Sequence, residues 1–184
     1  MSAENELSQP GSGQNRGTAG AGRKVLLLDG HSLAFRAFYA LPDTLVTSSG
    51  QITNAVYGFT AMLIKLIADE KPQGIVVCFD KGTPRFRVDR YADYKGNRAE
   101  TPDPFRQQLP LIREVLEALR VTMVELEGYE ADDLLATLAS RAREKGNEVV
   151  VVTGDRDCLQ LVCDGVAVMM TRRGISDVTR YDRA

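Results

Sequence analysis

The segment Val25–Gly30, with the sequence VLLLDG, decides how the rest of the chain is interpreted. Four apolar residues in a row, closed by an aspartate and a glycine, are typical of a strand buried on both faces of a parallel sheet. The pattern returns at 75–80, where IVVCF precedes Asp80, and at 149–155, where VVVV precedes Thr153-Gly154-Asp155. Because functional groups collect at the carboxyl ends of parallel strands, these acids predict a site along one edge of a sheet.

Helical patterns alternate with these strands. Apolar spacing predicts helices at about 32–39, 53–70, 104–119, 130–145 and 156–162, with Ser32 as the N-cap of the first. Further strands are predicted at 121–126 and 166–170. This alternation predicts βαβ units, and therefore an α/β fold with a mostly parallel central sheet flanked by helices.

Composition predicts one soluble domain. The chain has 184 residues, 43% of them apolar, and a formal net charge of −2. It has no apolar run of about 18 residues that could span a membrane, and no secretory signal, so we expect a cytoplasmic protein. Residues 1–23, rich in Gly, Ser, Asn and Gln, are predicted to be a disordered leader before a domain at 24–184. Cys78, Cys158 and Cys163 form no CxxC pair and are expected to be reduced core residues.

The densest acidic cluster is GYEADD at 128–133, at the start of a predicted helix. With the strand-end acids it gives seven carboxylates that could converge: Asp29, Asp80, Glu130, Asp132, Asp133, Asp155 and Asp157. A single histidine and unpaired cysteines argue against zinc, whereas carboxylates suit Mg²⁺ or Mn²⁺. So many acids suit either two ions roughly 4 Å apart, the arrangement that clamps a phosphodiester, or one ion with an outer shell of acids bound through water.

Simpler interpretations apply to each of these features alone. Acids in a first helical turn stabilise the helix dipole, and a lone acid after a strand is often a turn or cap residue. His31 is expected to be packed or hydrogen-bonded rather than catalytic, since a single histidine without a partner specifies no mechanism. Three strands ending in acids, joined by a triple cluster, favour the metal site.

A basic strip runs from Lys81 to Arg98, with six cations against two acids and with aromatic residues interleaved. Cations that hold phosphates and rings that stack on bases are typical of a single-strand binding channel. Such a strip beside an acidic pocket is a plausible layout for cutting a nucleic acid. Arg36 and Tyr57 are further candidate DNA contacts, and the alternative for each is a structural pair or a core residue.

Seven ordered blocks resemble the N-terminal 5′-nuclease domain of bacterial DNA polymerase I, over about residues 24–184. The blocks are LDG at 28–30, LAFRAFYAL at 33–41, NAVYGF at 54–59, FD at 79–80, YKGNR at 94–98, GYEADD at 128–133 and TGDRD at 153–157.

The resemblance implies a PIN-like α/β fold and a structure-specific 5′-3′ exonuclease and flap endonuclease. It implies a helical arch insertion over about 82–104, with Lys95 and Arg98 gripping the scissile phosphate and the seven acids binding metal. The DNA-binding set is then Arg36, Tyr57, Arg85, Arg87, Tyr94, Lys95 and Arg98. The implied substrates are DNA with a 5′ flap or 5′ end and RNA primer–DNA hybrids, in primer removal and DNA repair.

The resemblance also sets expectations about the whole protein. Family members continue past this point into a further metal-binding segment and a helix-hairpin-helix element, so DNA-binding helices are expected to be missing here. A monomer, with a polymerase domain fused in the native protein, is expected. Two other hypotheses remain: a non-catalytic branched-DNA binding module, and a PIN-type ribonuclease, which explains the acids but not the basic strip.

Overall fold

The structure, a computed structural model, describes residues 22–82, 84, 87, 89–91, 101–171 and 177–183. The strands in these ranges are β1 (Lys24–Asp29), β2 (Gly74–Cys78), β3 (Thr122–Val124), β4 (Glu148–Thr153), β5 (Val166–Thr171) and β6 (Val178–Tyr181). The helices are α1 (Gly30–Ala40), α2 (Asn54–Glu70), α3 (Asp103–Arg106), α4 (Leu109–Ala118) and α5 (Ala131–Glu144), with a 3₁₀ helix at Arg156–Leu161.

The six strands form one sheet in the order β3-β2-β1-β4-β5-β6. β1 pairs in parallel with β2 on one side and with β4 on the other, whereas β6 runs antiparallel to β5. The predicted mostly parallel sheet is confirmed. The chain leaves β1 towards β2 and β3 and later returns to add β4 and β5 on the opposite side. The carboxyl ends of β1 and β4 therefore flank the switch point, where open α/β sheets place their ligands.

Two hydrophobic layers cover the sheet because successive strand residues face opposite sides. Leu26 and Leu28 belong to a core formed with α1, α2 and α4, whereas Leu27 belongs to a core formed with α5 and Cys158. The central strands are buried on both faces, as their unbroken apolar runs predicted. Cys78 and Cys158 are buried and Cys163 is half-buried, and all three are free thiols.

Several predicted boundaries were wrong for local reasons. Asp29, rather than Ser32, is the N-cap of α1, because Asp29 Oδ1 accepts the backbone N–H of Ser32 at 3.0 Å. The helix predicted at 104–119 is two helices, and Pro110 lies in the first turn of the second, where its missing N–H and fixed φ are tolerated. The strand predicted at 121–126 is shorter, and β6 was not predicted at all.

The predicted leader and arch fall mainly on residues that the structure does not describe. Residues 1–21 are outside the described ranges, while Arg23 pairs its backbone with Asn147 and Glu148 and so adjoins the folded part. Of the predicted arch at 82–104, the described residues are 82, 84, 87, 89–91 and 101–104. Across the described part of the chain, no helix is both long and apolar enough to cross a membrane.

Candidate metal centre and nucleic-acid interface

Asp29 lies at the carboxyl end of β1, in the middle of the sheet edge where the sequence predicted the acids to meet. It is only 5% exposed, and both of its carboxylate oxygens accept hydrogen bonds. Oδ1 accepts from the Ser32 N–H at 3.0 Å, and Oδ2 accepts from the Thr153 hydroxyl at 2.9 Å. Each carboxylate oxygen has a second lone pair, so these bonds orient Asp29 without using all of its capacity to bind a cation.

Asp80 follows β2 and lies beside Asp29, because Asp29 is level with Cys78 in the β1–β2 register. Asp80 Oδ1 accepts the Ala131 N–H at 2.7 Å, which joins the end of β2 to the first turn of α5. The Asp80 N–H donates to Nδ1 of His31 at 3.2 Å. Burial lowers the pKa of His31, which favours the neutral ring that this hydrogen bond requires. The prediction of a packed or hydrogen-bonded histidine agrees with this contact.

Glu130 and Asp133 are held together at the start of α5 by a capping box, in which each side chain accepts the other residue's backbone N–H. Arg87, from the basic strip, reaches both carboxylates. It forms two hydrogen bonds with Asp133, at 3.0 and 2.6 Å, and also pairs with Glu130. These two acids are therefore paired with an arginine, and Arg87, a predicted DNA contact, lies against the acidic cluster.

Asp132 and Asp155 complete the central group. Asp132 Oδ1 accepts a hydrogen bond from the Cys158 thiol at 3.4 Å. The Asp155 N–H donates to Thr153 Oγ1 at 3.0 Å, and its carboxylate caps the 3₁₀ helix by accepting the N–H of Asp157 at 2.9 Å. Asp157 is exposed at the rim. The charge of Asp155 acts on Asp132, and Asp155 is less exposed than Asp157.

Burial and mutual repulsion perturb the central acids. The pKa of Asp29 is raised to about 7, chiefly by burial and to a smaller extent by the charges of Asp132 and Asp80. The pKa of Asp132 is also raised, chiefly by burial and then by Asp155, Asp80 and Glu130. Asp29 is therefore repelled by Asp80 and Asp132, and Asp132 in turn is repelled by Asp155, Asp80 and Glu130. A bound cation would offset the burial and the mutual repulsion of these carboxylates, so their arrangement favours a cation site.

The residues present fit a divalent cation with hard oxygen ligands. The central acids supply carboxylate oxygens, which suit Mg²⁺ or Mn²⁺, and the nearby sulfur is a protonated thiol, since burial and Asp132 raise the pKa of Cys158. Within the described ranges, no three His, Cys, Asp or Glu side chains already stand in a ligand cluster. Mg²⁺ keeps several waters and takes few protein ligands, so a closed cage is not required.

The predicted DNA contacts differ in their placement. Arg36 is half-buried and donates from Nη2 to the backbone carbonyl of Thr171 at 2.8 Å, linking α1 to β5. Tyr57, in the first turns of α2, is 60% exposed. The remaining predicted residues, Arg85, Tyr94, Lys95 and Arg98, lie outside the described residues.

Sequence reasoning missed the residues that hold the acids in place. Thr153 is fully buried and bridges Asp29 to the Asp155 N–H, while Ser32 accepts the Gly154 N–H at 2.8 Å. A threonine directly after a valine run and a serine three residues after Asp29 were visible signals, but only the sheet order brings them together.

The chain matches one family model and several known proteins. The family model of the 5′-3′ exonuclease N-terminal resolvase-like domain matches residues 24–184. DNA polymerase I of Mycobacterium bovis is 55% identical over 158 residues, which is 85% of this chain and 18% of that protein. DNA polymerase I of Bacillus caldotenax is 49% identical over 159 residues, 86% of this chain and 18% of that protein.

The chain therefore belongs to the family of 5′-3′ exonuclease N-terminal resolvase-like domains, and the predicted resemblance is confirmed. It spans about a fifth of the length of these curated relatives, with 18% of each covered.

Solved structures support the same fold. A bacteriophage T5 flap endonuclease in a pseudo-enzyme–product complex with DNA and metal ions matches with a TM-score of 0.66 and 21% identity, over 80% of this chain and 55% of that one. The catalytic core of Rad2 with a DNA substrate matches with a TM-score of 0.50 and 16% identity, over 89% and 50% of the two chains. At these identities the likeness concerns the fold, and it confirms the predicted PIN-like α/β class.

Proposed function

We propose that this chain is the catalytic domain of a metal-dependent, structure-specific 5′-3′ exonuclease and flap endonuclease that hydrolyses DNA phosphodiesters. One observation carries the proposal: the ends of β1, β2 and β4 and the start of α5 bring Asp29, Asp80, Asp132 and Asp155 into one electrostatically coupled group. Family membership supports the reaction class. The names of the structural neighbours, a flap endonuclease and a DNA-bound catalytic core, support the substrate class.

The proposed cofactor is Mg²⁺ or Mn²⁺, with two ions in the intact domain. Asp29, Asp80, Asp132 and Asp155 are the central candidate ligands, and Glu130, Asp133 and Asp157 surround them. When bound, the ions would activate an attacking water and stabilise the departing oxygen. One T5 neighbour is a complex with DNA and metal ions, and another has divalent zinc ions bound, which supports a metal requirement.

The chain's own residues have separate roles in this proposal. Thr153 and Ser32 orient Asp29 through its two oxygens, and the Ala131 N–H orients Asp80. Arg87 holds Glu130 and Asp133 and joins the basic strip to the acids. Lys95 and Arg98 are proposed to bind the scissile phosphate, and Arg85, Tyr94, Arg36 and Tyr57 to contact the DNA strand.

The cellular role follows by comparison with the DNA polymerase I relatives. Removal of displaced 5′ flaps and of RNA primers in RNA–DNA hybrids, during replication and repair, is the proposed task. We further propose a bacterial cytoplasmic protein associated with the nucleoid, monomeric and fused to a polymerase domain. The length of the relatives, of which this chain covers 18%, supports such a fusion.

A substrate comparison tests the proposal. The chain, alone and joined to the region that follows the match in the Mycobacterium bovis relative, is incubated with 5′-labelled flap duplex or with single-stranded RNA in Mg²⁺. Release of the flap fragment is the expected result. Cleavage of RNA alone would favour the PIN-type ribonuclease, and flap binding without cleavage in either form would favour the branched-DNA binding module; both would overturn the proposal.

A further inference from the structure

The first turn of α1 reaches the loops that follow both neighbouring strands. β1 lies between β2 and β4. The side chains of the adjacent residues His31 and Ser32 accept backbone N–H groups from the loops that follow β2 and β4, respectively. His31 Nδ1 accepts from Asp80 at 3.2 Å, and Ser32 Oγ accepts from Gly154 at 2.8 Å. One helical turn therefore holds the loops that carry Asp80 and Asp155.

The His31 contact is fixed by its surroundings. The His31 ring packs edge-on against Phe79, with ring centroids 5.4 Å apart. Phe79 is fully buried, and the Arg113 guanidinium lies 4.4 Å from the centre of the same ring. Since Phe79 directly precedes Asp80, the packing and the hydrogen bond together set where the Asp80 backbone leaves the sheet.

The Ser32 contact acts on the other loop. The Ser32 N–H donates to Asp29 while its hydroxyl accepts from Gly154, so this residue connects the β1 acid to the β4 loop. A Cβ at position 154 would lie 2.8 Å from Ser32 Oγ, which is closer than side chains tolerate, so the glycine permits the approach. Asp155 follows directly, with its own N–H bound by Thr153.

We propose that His31 and Ser32 are positioning residues that set the spacing of the Asp80 and Asp155 carboxylates around Asp29. The inference rests on the proposed function, in which these acids bind a divalent cation. Hydrogen-bond partners that orient metal ligands are typically worth 10–100-fold in affinity or activity, because a ligand displaced by about 1 Å no longer meets the ion correctly. A merely structural role would lower stability and leave metal affinity unchanged.

Paired substitutions isolate the acceptor atoms. His31→Leu keeps an apolar side chain against Phe79 but removes the acceptor, whereas His31→Asn places Oδ1 near the position of Nδ1. Ser32→Ala removes the hydroxyl and Ser32→Thr retains it. Ser140→Ala is the matched control. Among the described residues, the Ser140 hydroxyl forms a hydrogen bond only with Glu144, which also lies in α5.

The measurement is calorimetric titration of Mn²⁺ into the 184-residue chain without DNA, at a temperature where circular dichroism shows each variant folded. His31→Leu and Ser32→Ala are expected to weaken Mn²⁺ binding about tenfold or more. His31→Asn, Ser32→Thr and Ser140→Ala are expected to bind within about threefold of wild type, which is below the roughly 10–100-fold effect of losing a ligand-orienting partner.

The contrary outcomes distinguish a failure of the positioning role from a failure of the proposed metal site. If wild type binds Mn²⁺ and the Leu and Ala variants bind equally well, the positioning role is refuted while the proposed function stands. A weakening that Asn and Thr do not restore also refutes it, because the acceptor atoms would not be the cause. Absence of Mn²⁺ binding by wild type would overturn both the inference and the proposed metal site.

Discussion

The Thr153 hydroxyl donates to Asp29 Oδ2 at 2.9 Å and accepts the Asp155 N–H at 3.0 Å, so one side chain connects the acids at the ends of two neighbouring strands. Thr153 is fully buried. Removing the hydroxyl leaves the buried Asp29 oxygen short of a partner, which costs about 1–3 kcal/mol, whereas the Asp155 N–H is only partly buried and can bond water instead.

Thr153→Val is therefore expected to lower the free energy of unfolding by about 1–3 kcal/mol and to raise the Mg²⁺ concentration needed for half-maximal cleavage about tenfold. Denaturant unfolding and metal titrations of cleavage measure the two effects. Thr153→Ser should restore both, and Thr60→Val, whose hydroxyl bonds Val56 within α2, is the control. A metal requirement unchanged in Thr153→Val would contradict this role.

Asp29 makes the metal-free protein sensitive to pH. Its pKa is raised from 3.8 to about 7 in the folded state, so the folded state keeps a proton that the unfolded state loses. Stability is then unaffected by this group below about pH 4, falls as the pH rises towards 7, and stays reduced above it. Asp29→Asn removes this titration, while Asn remains a good N-cap.

The stability difference between Asp29→Asn and wild type, measured in EDTA, should therefore shift in favour of the variant by on the order of 2–4 kcal/mol between pH 4 and pH 8. Thermal or denaturant unfolding across this range measures it. A difference that does not change with pH would show that Asp29 is not protonated in the metal-free folded state at neutral pH.

Arg87 supplies positive charge to the acidic cluster, since its guanidinium contacts both Asp133 and Glu130, and Glu130 is only 7% exposed. Arg87→Ala should destabilise the metal-free protein by about 1–3 kcal/mol, because it leaves partly buried charges unpaired. Saturating Mg²⁺ should reduce this loss, as a cation restores positive charge. Melting temperatures in EDTA and in Mg²⁺ measure both effects.

The exposed arginine Arg141, on α5, provides the control, since surface substitutions usually change stability by less than about 0.5 kcal/mol. An Arg87→Ala deficit that is equally large in Mg²⁺ and in EDTA would mean that Arg87 and the metal do not act on the same acids.

Substitutions of Arg36 and Tyr57 are expected to differ in their effects on stability, because Arg36 makes a contact within the fold whereas the Tyr57 ring is exposed. Tyr57→Ala should weaken flap binding by about 1–3 kcal/mol, the usual value of one base–aromatic contact, with little change in stability, because the ring is exposed. Arg36→Ala should lower stability as well, because Arg36 binds the end of β5.

Fluorescence anisotropy with labelled flap DNA in Ca²⁺, together with thermal unfolding, measures both variants. Tyr57→Phe should bind as wild type if stacking is the interaction. Flap binding unchanged in Tyr57→Ala would remove this residue from the proposed interface.

The unbroken apolar runs were sufficient to predict the central strands, because strands buried on both faces leave little room for polar residues. The acids that close those runs were also sufficient to predict a common edge. Neither the antiparallel β6 nor the helix boundary at Pro110 had comparably strong signals, since VTRY at 178–181 is short and half polar.

The arrangement within the site depended on long-range contacts. Nothing local in the sequence indicates that Arg87 lies against Asp133, 46 residues away, or that Ser32 binds Gly154, 122 residues away. The seven predicted acids therefore fall into three groups in the structure. Asp29, Asp80, Asp132 and Asp155 form the central group, Glu130 and Asp133 pair with Arg87, and Asp157 lies exposed at the rim.

We propose that the acids at the ends of β1, β2 and β4 form a metal-dependent phosphodiesterase site. The most direct test is Mg²⁺-dependent release of the 5′ fragment from a labelled flap duplex by wild type and by the double variant Asp155→Asn with Asp157→Asn. The matched control is Asp164→Asn with Asp182→Asn, two exposed acids that pair with Arg183 and Arg180.

We expect cleavage by wild type and by the control in Mg²⁺, none in EDTA, and a loss of at least about 100-fold in the site variant with its melting temperature preserved. Cleavage by the site variant at a rate near that of wild type, or cleavage that persists in EDTA, would contradict the proposal.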